Sequence, residues 1–196
     1  MLYNICLQSV ISLYQNYIKG MINLKIKTIE EKDFITVKNL ITDAFTHDEH
    51  GYNDEAELVA KIRKTKEYIS ELEVVAEDEG ILGYALLSEV YLNSAHQQYT
   101  GLVLAPIAVN PDSQKSGVGK LLMNELEKRA KALDYEFISI LGYPEYYTKF
   151  GYEPASKYNI LSPFKDVPDE TFMIKEIKDG YLKDKEGTIQ YSEAFN

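Results

Sequence analysis

Cysteine is nearly absent: Cys6 is the single one in 196 residues. An internal disulfide is therefore excluded, and the usage points to a reducing, cytoplasmic setting. Basic residues are also scarce, with 21 Lys and Arg against 31 Asp and Glu and a formal net charge of −10. Binding to a phosphate backbone needs a basic surface, so nucleic acid is excluded as the main partner. A solvated acidic surface accounts for the charge, and a cationic substrate is compatible with it. Long apolar runs are missing too. The most apolar stretch, MLYNICLQSVISLYQNYIKG, is interrupted by Gln8, Ser9, Ser12, Gln15 and Asn16. It is too polar for a membrane span, and it has neither a basic leader nor a small-residue cleavage site. Repeats, low-complexity tracts and proline-rich linkers do not occur either.

What remains is ordinary for a globular chain, 45% hydrophobic and 27% charged, with room for one substantial core. Residues 1–20 read as an N-terminal extension outside the native domain, with Met21 as the alternative start, although Leu2, Cys6, Val10, Leu13 and Tyr17 have helical spacing. Residues 21–196 read as a single domain. Alternation over 22–29 predicts a strand, and Phe34, Val37, Leu40, Ile41, Ala44 and Phe45 form one stripe of a helix over 30–45. After the loop THDEHGYN, Asn53 is the expected N-cap of a helix over 54–64. Strands over 72–77 and 81–90 flank the acidic turn Asp78-Glu79-Gly80 as a hairpin. The run 101–109 is apolar enough for a strand buried on both faces. Val118, Leu122, Leu126, Ala130 and Leu133 then make a helical stripe, followed by a buried strand over 137–141, a short helix over 144–150 and late strands near 171–177 and 188–191. Strand, helix and strand after a hairpin imply a mixed α/β sheet with helices on its faces.

The stretch that carries chemistry is NPDSQKSGVGKLL. Two glycines between Lys115 and Lys120 open the helix, where unpaired amides and the positive end of the helix dipole attract anions. The missing side chains at Gly117 and Gly119 let an anion approach the backbone, and the pattern suits a diphosphate. A Walker loop is excluded by Gln114 and Leu121, and a dinucleotide fingerprint by Leu122. What is left is Q-x-x-G-x-G between a buried strand and an amphipathic helix. His47 and His50, in HDEH, precede no clear helix and lack an evident third ligand, so no metal is expected.

NPDSQKSGVGKLL, followed by an apolar strand and YPEYYTKFGYEPAS, resembles the GNAT superfamily of acyl-CoA-dependent N-acetyltransferases, and within it the YhbS-like branch. The likeness runs from about residue 22 to the C-terminus. It implies a mostly antiparallel sheet, splayed between the two strands that flank the glycine-loop helix. It also implies acetyl-CoA as acyl donor, held at its pyrophosphate by the amides of Gln114, Lys115, Ser116, Gly117, Val118, Gly119 and Lys120. The amides of Ile107 and Val109 are expected to meet the pantetheine arm, and that of Ile107 to polarise the thioester. Pro106 cannot donate to a ladder and marks a bulge that frees neighbouring amides.

Tyr147 matches the position of the family's catalytic tyrosine. It either hydrogen-bonds the departing thiolate or acts as an acid whose pKa the site lowers. Tyr143, Tyr147 and Phe150 are expected on one face, with Tyr146 projecting elsewhere. With no cysteine from Met21 onward, direct attack by a primary amine is the expected route. Relatives often place a carboxylate in the strand before the loop; TGLVLAPIAV has none, which leaves Glu89 as the candidate base. Asp48, Glu49 and Tyr52 are the candidate contacts for a cationic acceptor, a small molecule or an exposed protein amine. A non-catalytic acyl-CoA-binding module on the same fold is the alternative, and an unrelated α/β protein with a vacant anion site a third reading. The oligomeric state stays open, a homodimer included.

Overall fold

The structure, a computed structural model, describes residues 24–48 and 51–196. The reading of residues 1–20, and the candidates Glu49 and His50, lie outside the described residues. The hairpin expected at Asp78-Glu79-Gly80 is formed by β2 (Tyr68–Glu77) and β3 (Ile81–Asn93), with β1 (Lys25–Thr28) antiparallel on the outer side of β2. β4 (Gln98–Val109) returns antiparallel along β3. α3 (Val118–Ala132) then crosses over to β5 (Phe137–Leu141), which runs parallel to β4. The sheet order β1-β2-β3-β4-β5 continues through β8 (Phe172–Glu176) to the short β6 (Glu153–Pro154). β4 and β5 form its parallel pair within that order, so the sheet is mixed and mostly antiparallel, as expected.

α3 lies on one face. Its buried residues Val118, Leu122, Met123, Leu126 and Ala130 pack with Leu72, Val74, Ala85 and Leu87 from alternate positions of β2 and β3. Leu133, expected in that stripe, is 42% exposed, because it is the C-cap where the helix path ends. α1 (Phe34–Thr46) and α2 (Glu55–Ile62) cover the opposite face through Val37, Ile41, Val59 and Ile62, against Val75, Tyr84 and Leu86. Asp54 caps α2 in place of the expected Asn53, whose side-chain amide instead donates to the Gly51 carbonyl.

Under α1 and α2 sits a fully buried carboxylate, Glu73. Arg63 grips it through Nη2 at 2.5 Å and Nε at 3.0 Å, and the hydroxyls of Tyr68 and Tyr84 each donate to it at 2.7 Å. Four donors satisfy the carboxylate, so its burial does not leave an unpaired charge. Phe34 stacks under the same guanidinium, 3.7 Å from its ring centre. This cluster ties the end of α2 and the start of α1 to β2 and β3.

Past Ser88, where β2 ends, β9 (Gly187–Gln190) takes over that edge of β3, pairing with Tyr91–Asn93, and β7 (Ile160–Leu161) pairs parallel to β9. These pairings bring the C-terminal segment back over the α1–α2 face, where Phe195 meets both neighbouring core clusters.

Candidate active site

β4 and β5 stay paired only at Leu102↔Ile138 and Val103↔Ser139. Beyond that point they diverge, and β5 keeps its other partner, β8, along its whole length. The break has a local cause. On β3, Ala85 lies opposite Ile107 and Leu87 opposite Leu104, so β4 carries one extra residue across Ala105 and Pro106. A proline there offers no amide to either neighbour, and the bulge turns the strand away from β5. The bulge expected at Pro106 is present.

The orientation of the neighbouring amides follows from the ladder. Asn110 donates to the Leu82 carbonyl at 2.9 Å. Ladder bonds alternate along an antiparallel strand, so Ala108 also faces β3. The amides of Ile107 and Val109 therefore point the other way, across the gap toward β5.

A cleft of about 950 Å³ fills the fork. Its lining joins the bulge of β4, the loop before α3, the end of β5, and α4 (Pro144–Tyr147) with the 3-10 turn that follows it. The end of α1, the start of α2 and the C-terminal aromatics Phe164, Tyr191 and Phe195 complete it.

The glycine loop is built by short local bonds. Asn110 Oδ1 accepts from the Asp112 amide at 3.0 Å, starting a 3-10 turn over Pro111–Ser113. Ser116 Oγ donates back to the Ser113 carbonyl at 2.5 Å. Gly117 is the N-cap of α3 at φ 97°, a conformation that glycine adopts without a Cβ penalty. Among the described residues, no backbone carbonyl accepts from the amides of Gly117, Val118, Gly119 or Lys120, and the first helical bond runs from Leu121 to the Gly117 carbonyl. The Gln114 amide is different: it donates to Pro111 at 3.4 Å. Gln114 still lines the cleft, but its amide is committed to the turn and leaves the expected set. The Val118 side chain is buried in the core, which leaves only its backbone for a ligand. Lys115, Lys120 and Lys149 also line the cleft, and none of them makes an ion pair among the described residues.

The aromatic side of the cleft differs from expectation. Tyr147 is 9% exposed, its ring edge-on to Tyr146 at 5.0 Å and to Tyr152 at 5.9 Å. Its hydroxyl has no hydrogen-bond partner among the described residues. Burial pushes its phenol well above the ordinary tyrosine value, with Tyr146 and Tyr143 adding to the rise. The reading of Tyr147 as an acid with a lowered pKa is thereby corrected: an apolar surround disfavours the phenolate. Tyr146 does not project away. It lines the cleft beside Tyr143 and Tyr147, lies tilted against Phe150 at 5.2 Å, and brings its hydroxyl so close to Gly119 that a Cβ there would sit 2.6 Å from it. A single helical turn that tightens to 3-10 at Thr148 does not keep four rings on separate faces.

Glu89 is not in the cleft. It lies opposite Leu102, about 13 Å along β3 from Ala85 at 3.3 Å per residue, and accepts from the Tyr135 hydroxyl at 2.5 Å near the far end of α3. Alternation along β3 puts it on the α3 face with Ala85 and Leu87, but the cleft opens at the other end of that helix. Tyr52 is also turned elsewhere: its hydroxyl donates to Glu57 and accepts from the Ala56 amide, capping α2 from within. Asp48 does line the cleft and accepts from the Tyr143 hydroxyl at 2.8 Å, bridging the α1 end to the β5 end. His47 holds Nδ1 2.8 Å from the Asp43 carbonyl at the end of α1. Glu55, Lys149, Phe164, Tyr191 and Phe195 line the cleft without having been singled out in the sequence; distant pairing of β9 with β3, not local spacing, brings Tyr191 and Phe195 there.

Comparison with known proteins agrees with this geometry. Residues 25–155 match the family model described as an acetyltransferase (GNAT) domain. The chain is 27% identical over 124 residues to YhbS, an uncharacterised N-acetyltransferase of Escherichia coli K12, covering 63% of this chain and 72% of that protein. It is also 27% identical over 143 residues to YjhQ, another uncharacterised N-acetyltransferase of the same strain, covering 72% and 76%. Among solved structures, Escherichia coli YhbS in complex with CoA superposes with a TM-score of 0.78 at 24% identity, over 89% of this chain and 92% of that one. A GNAT family acetyltransferase from Brucella melitensis in complex with acetyl-CoA gives 0.71 at 21% identity, over 88% and 98%. The chain therefore belongs to the GNAT acetyltransferase family and is an N-acetyltransferase.

Proposed function

We propose that the protein transfers an acetyl group from acetyl-CoA directly to a primary amine, on a small molecule or a protein. The observation that carries this reading is one continuous cleft. It joins four orphaned amides at the start of α3 to the outward-facing amides of Ile107 and Val109. The amides of residues 117–120, with the ammonium groups of Lys115, Lys120 and Lys149, hold the diphosphate of the coenzyme. The pantetheine arm follows β4, and the Ile107 amide polarises the thioester carbonyl. One such donor contributes about 3–4 kcal/mol of transition-state stabilisation. The CoA and acetyl-CoA complexes of the two structural neighbours support this assignment of the cofactor.

In the transfer itself, the neutral amine attacks the carbonyl carbon. A C–N bond forms, the C–S bond breaks, and the nitrogen sheds one proton to solvent or to a cleft carboxylate. The departing thiolate is hydrogen-bonded by the Tyr147 hydroxyl and takes its proton from solvent. An alkyl amine of pKa about 10.4 is neutral in about one molecule in 2,500 at pH 7. Turnover at limiting amine should therefore rise about tenfold per pH unit above neutrality. The test pairs calorimetry of acetyl-CoA on the folded chain with thiol release across an amine panel. Saturable binding and amine-dependent thiol release are expected. Absence of saturation at millimolar acetyl-CoA refutes the reading, and saturation without turnover replaces it by a non-catalytic acyl-CoA-binding module.

A further inference from the structure

The cleft passes through the fork from one face of the sheet to the other, and its two ends differ in chemistry. Toward α3 it is lined by Lys115, Lys120 and Lys149. On the α1–α2 side the charged lining residues are carboxylates, Asp48 after α1 and Glu55 in the first turn of α2. Among the described residues, no Lys, Arg or His lines that side. The remaining surface there is apolar. Phe164, Tyr191 and Phe195 form a continuous wall, with ring centres 5.1 Å and 4.8 Å apart, and Phe45 and Leu58 face it from the helices.

At the floor of this wall the Tyr191 hydroxyl is buried and, among the described residues, has no hydrogen-bond partner. Ser139 is the polar side chain beside it, but Ser139 Oγ donates to the Leu102 carbonyl at 3.1 Å, at the last paired step before β4 and β5 separate. Folded proteins leave few buried hydroxyls unpaired, and one at the bottom of an open cleft is placed to meet a ligand atom. A cationic end for the cofactor's diphosphate and a separate carboxylate-and-aromatic end ask for different partners.

We infer that the acceptor is a primary amine carried on an apolar, aromatic-sized body without a carboxylate. This rests on the acetyltransferase reading. Asp48 and Glu55 draw in the ammonium, the Phe164–Tyr191–Phe195 wall takes the body, and the Tyr191 hydroxyl hydrogen-bonds the nitrogen at the fork. An α-amino acid fits poorly, because its carboxylate meets Asp48 and Glu55 and, among the described residues, no lining cation on that side. A polyamine fits less well, because its second ammonium interrupts the apolar body that would cover the Phe164–Tyr191–Phe195 wall.

The experiment compares 2-phenylethylamine, phenylalanine and spermidine as acceptors for the full chain with acetyl-CoA, reading thiol release and the mass of the product. The expected kcat/KM for 2-phenylethylamine exceeds that of each of the others by about tenfold or more. Equal or faster acetylation of phenylalanine or spermidine overturns the inference and leaves the acetyltransferase reading standing. No product from 2-phenylethylamine overturns the inference as well, while acetyl-CoA calorimetry and a wider amine panel judge the parent reading separately. Tyr191→Phe and Asp48→Asn should each raise KM for 2-phenylethylamine by about fivefold or more, with acetyl-CoA affinity unchanged. KM unchanged in both variants removes this end of the cleft from acceptor binding.

Discussion

Tyr147→Phe separates two ways in which a phenol can help a thiolate leave. The hydroxyl has no partner among the described residues, and the ring packs between Tyr146 and Tyr152. Removing the oxygen keeps that packing and breaks no protein hydrogen bond, so the melting temperature should hold. The loss falls on the transition state. A hydrogen bond to a charged group contributes about 1.5–3 kcal/mol, which is about 10- to 150-fold in kcat at 1.36 kcal/mol per decade. Full proton transfer predicts something else. From an ordinary phenol of pKa about 10 to a thiol of about 8.5 it is already uphill by about 2 kcal/mol, and burial of Tyr147 raises that barrier further. The assay is steady-state thiol release with acetyl-CoA varied at saturating amine, alongside calorimetry of acetyl-CoA on the variant. The expected pattern is kcat down by one to two decades with the acetyl-CoA dissociation constant unchanged. An unchanged kcat removes Tyr147 from the reaction. A loss beyond about four decades exceeds what a hydrogen-bond donor supplies and reinstates it as the proton source.

Three further outcomes follow from the same geometry. Gly117→Ala places a side chain at φ 97°, where nothing lies within 4 Å of the new Cβ; backbone strain of about 1–3 kcal/mol should lower the melting temperature and weaken acetyl-CoA binding in calorimetry, and intact affinity would detach the loop from the cofactor. Glu89→Gln keeps an acceptor for the Tyr135 hydroxyl and should leave kcat within about twofold of the parent; a large fall would restore Glu89 as a base. The buried phenols of Tyr84, Tyr147 and Tyr152 are held above the ordinary value by burial, so their stabilisation is full below the unfolded value of about 10 and is lost as pH rises toward their folded values. The unfolding free energy from urea titration should fall above pH 10 by about 1.4 kcal/mol per pH unit for each phenol, and a flat value between pH 9 and 11.5 would refute their burial.

The half of the cleft proposed for the cofactor was legible as structure because its information is local. A helix that must open on bare amides writes its glycines within a few residues of each other. Q-x-x-G-x-G therefore located the start of α3, and Val118, Leu122, Leu126 and Ala130 gave its buried stripe. Pro106 in an otherwise apolar strand marked the bulge for the same reason, since a residue without an amide must interrupt a ladder. Strand β5 came out over Phe137–Leu141 because a short apolar run after a helix has few other uses in an α/β chain. β2 began earlier than its apolar run, at Tyr68, because that residue's hydroxyl is drawn in to Glu73, a contact that periodicity does not register.

The acceptor half was not legible, and Glu89 shows why. Alternation along β3 puts it on a defined face, yet the face alone does not say which end of a strand meets the cleft. That depends on where β4 and β5 part, seen only in the register Leu102↔Ile138 and Val103↔Ser139. The residues that occupy the acceptor side arrive by long-range pairing. β9 joins β3 at Tyr91–Asn93, and this one contact carries Tyr191 and Phe195 across the sheet to stand opposite Asp48 and Glu55. β7 is two residues long, too short to have a period, and still helps to hold that return path by pairing with β9. The cofactor end is thus encoded by neighbours in sequence and the acceptor end by neighbours in space. Substitutions in the C-terminal segment can change the acceptor wall without altering the loop that grips the coenzyme. On the inference drawn above, that division makes Tyr191, and not a residue near the glycines, the position whose substitution should change acceptor choice.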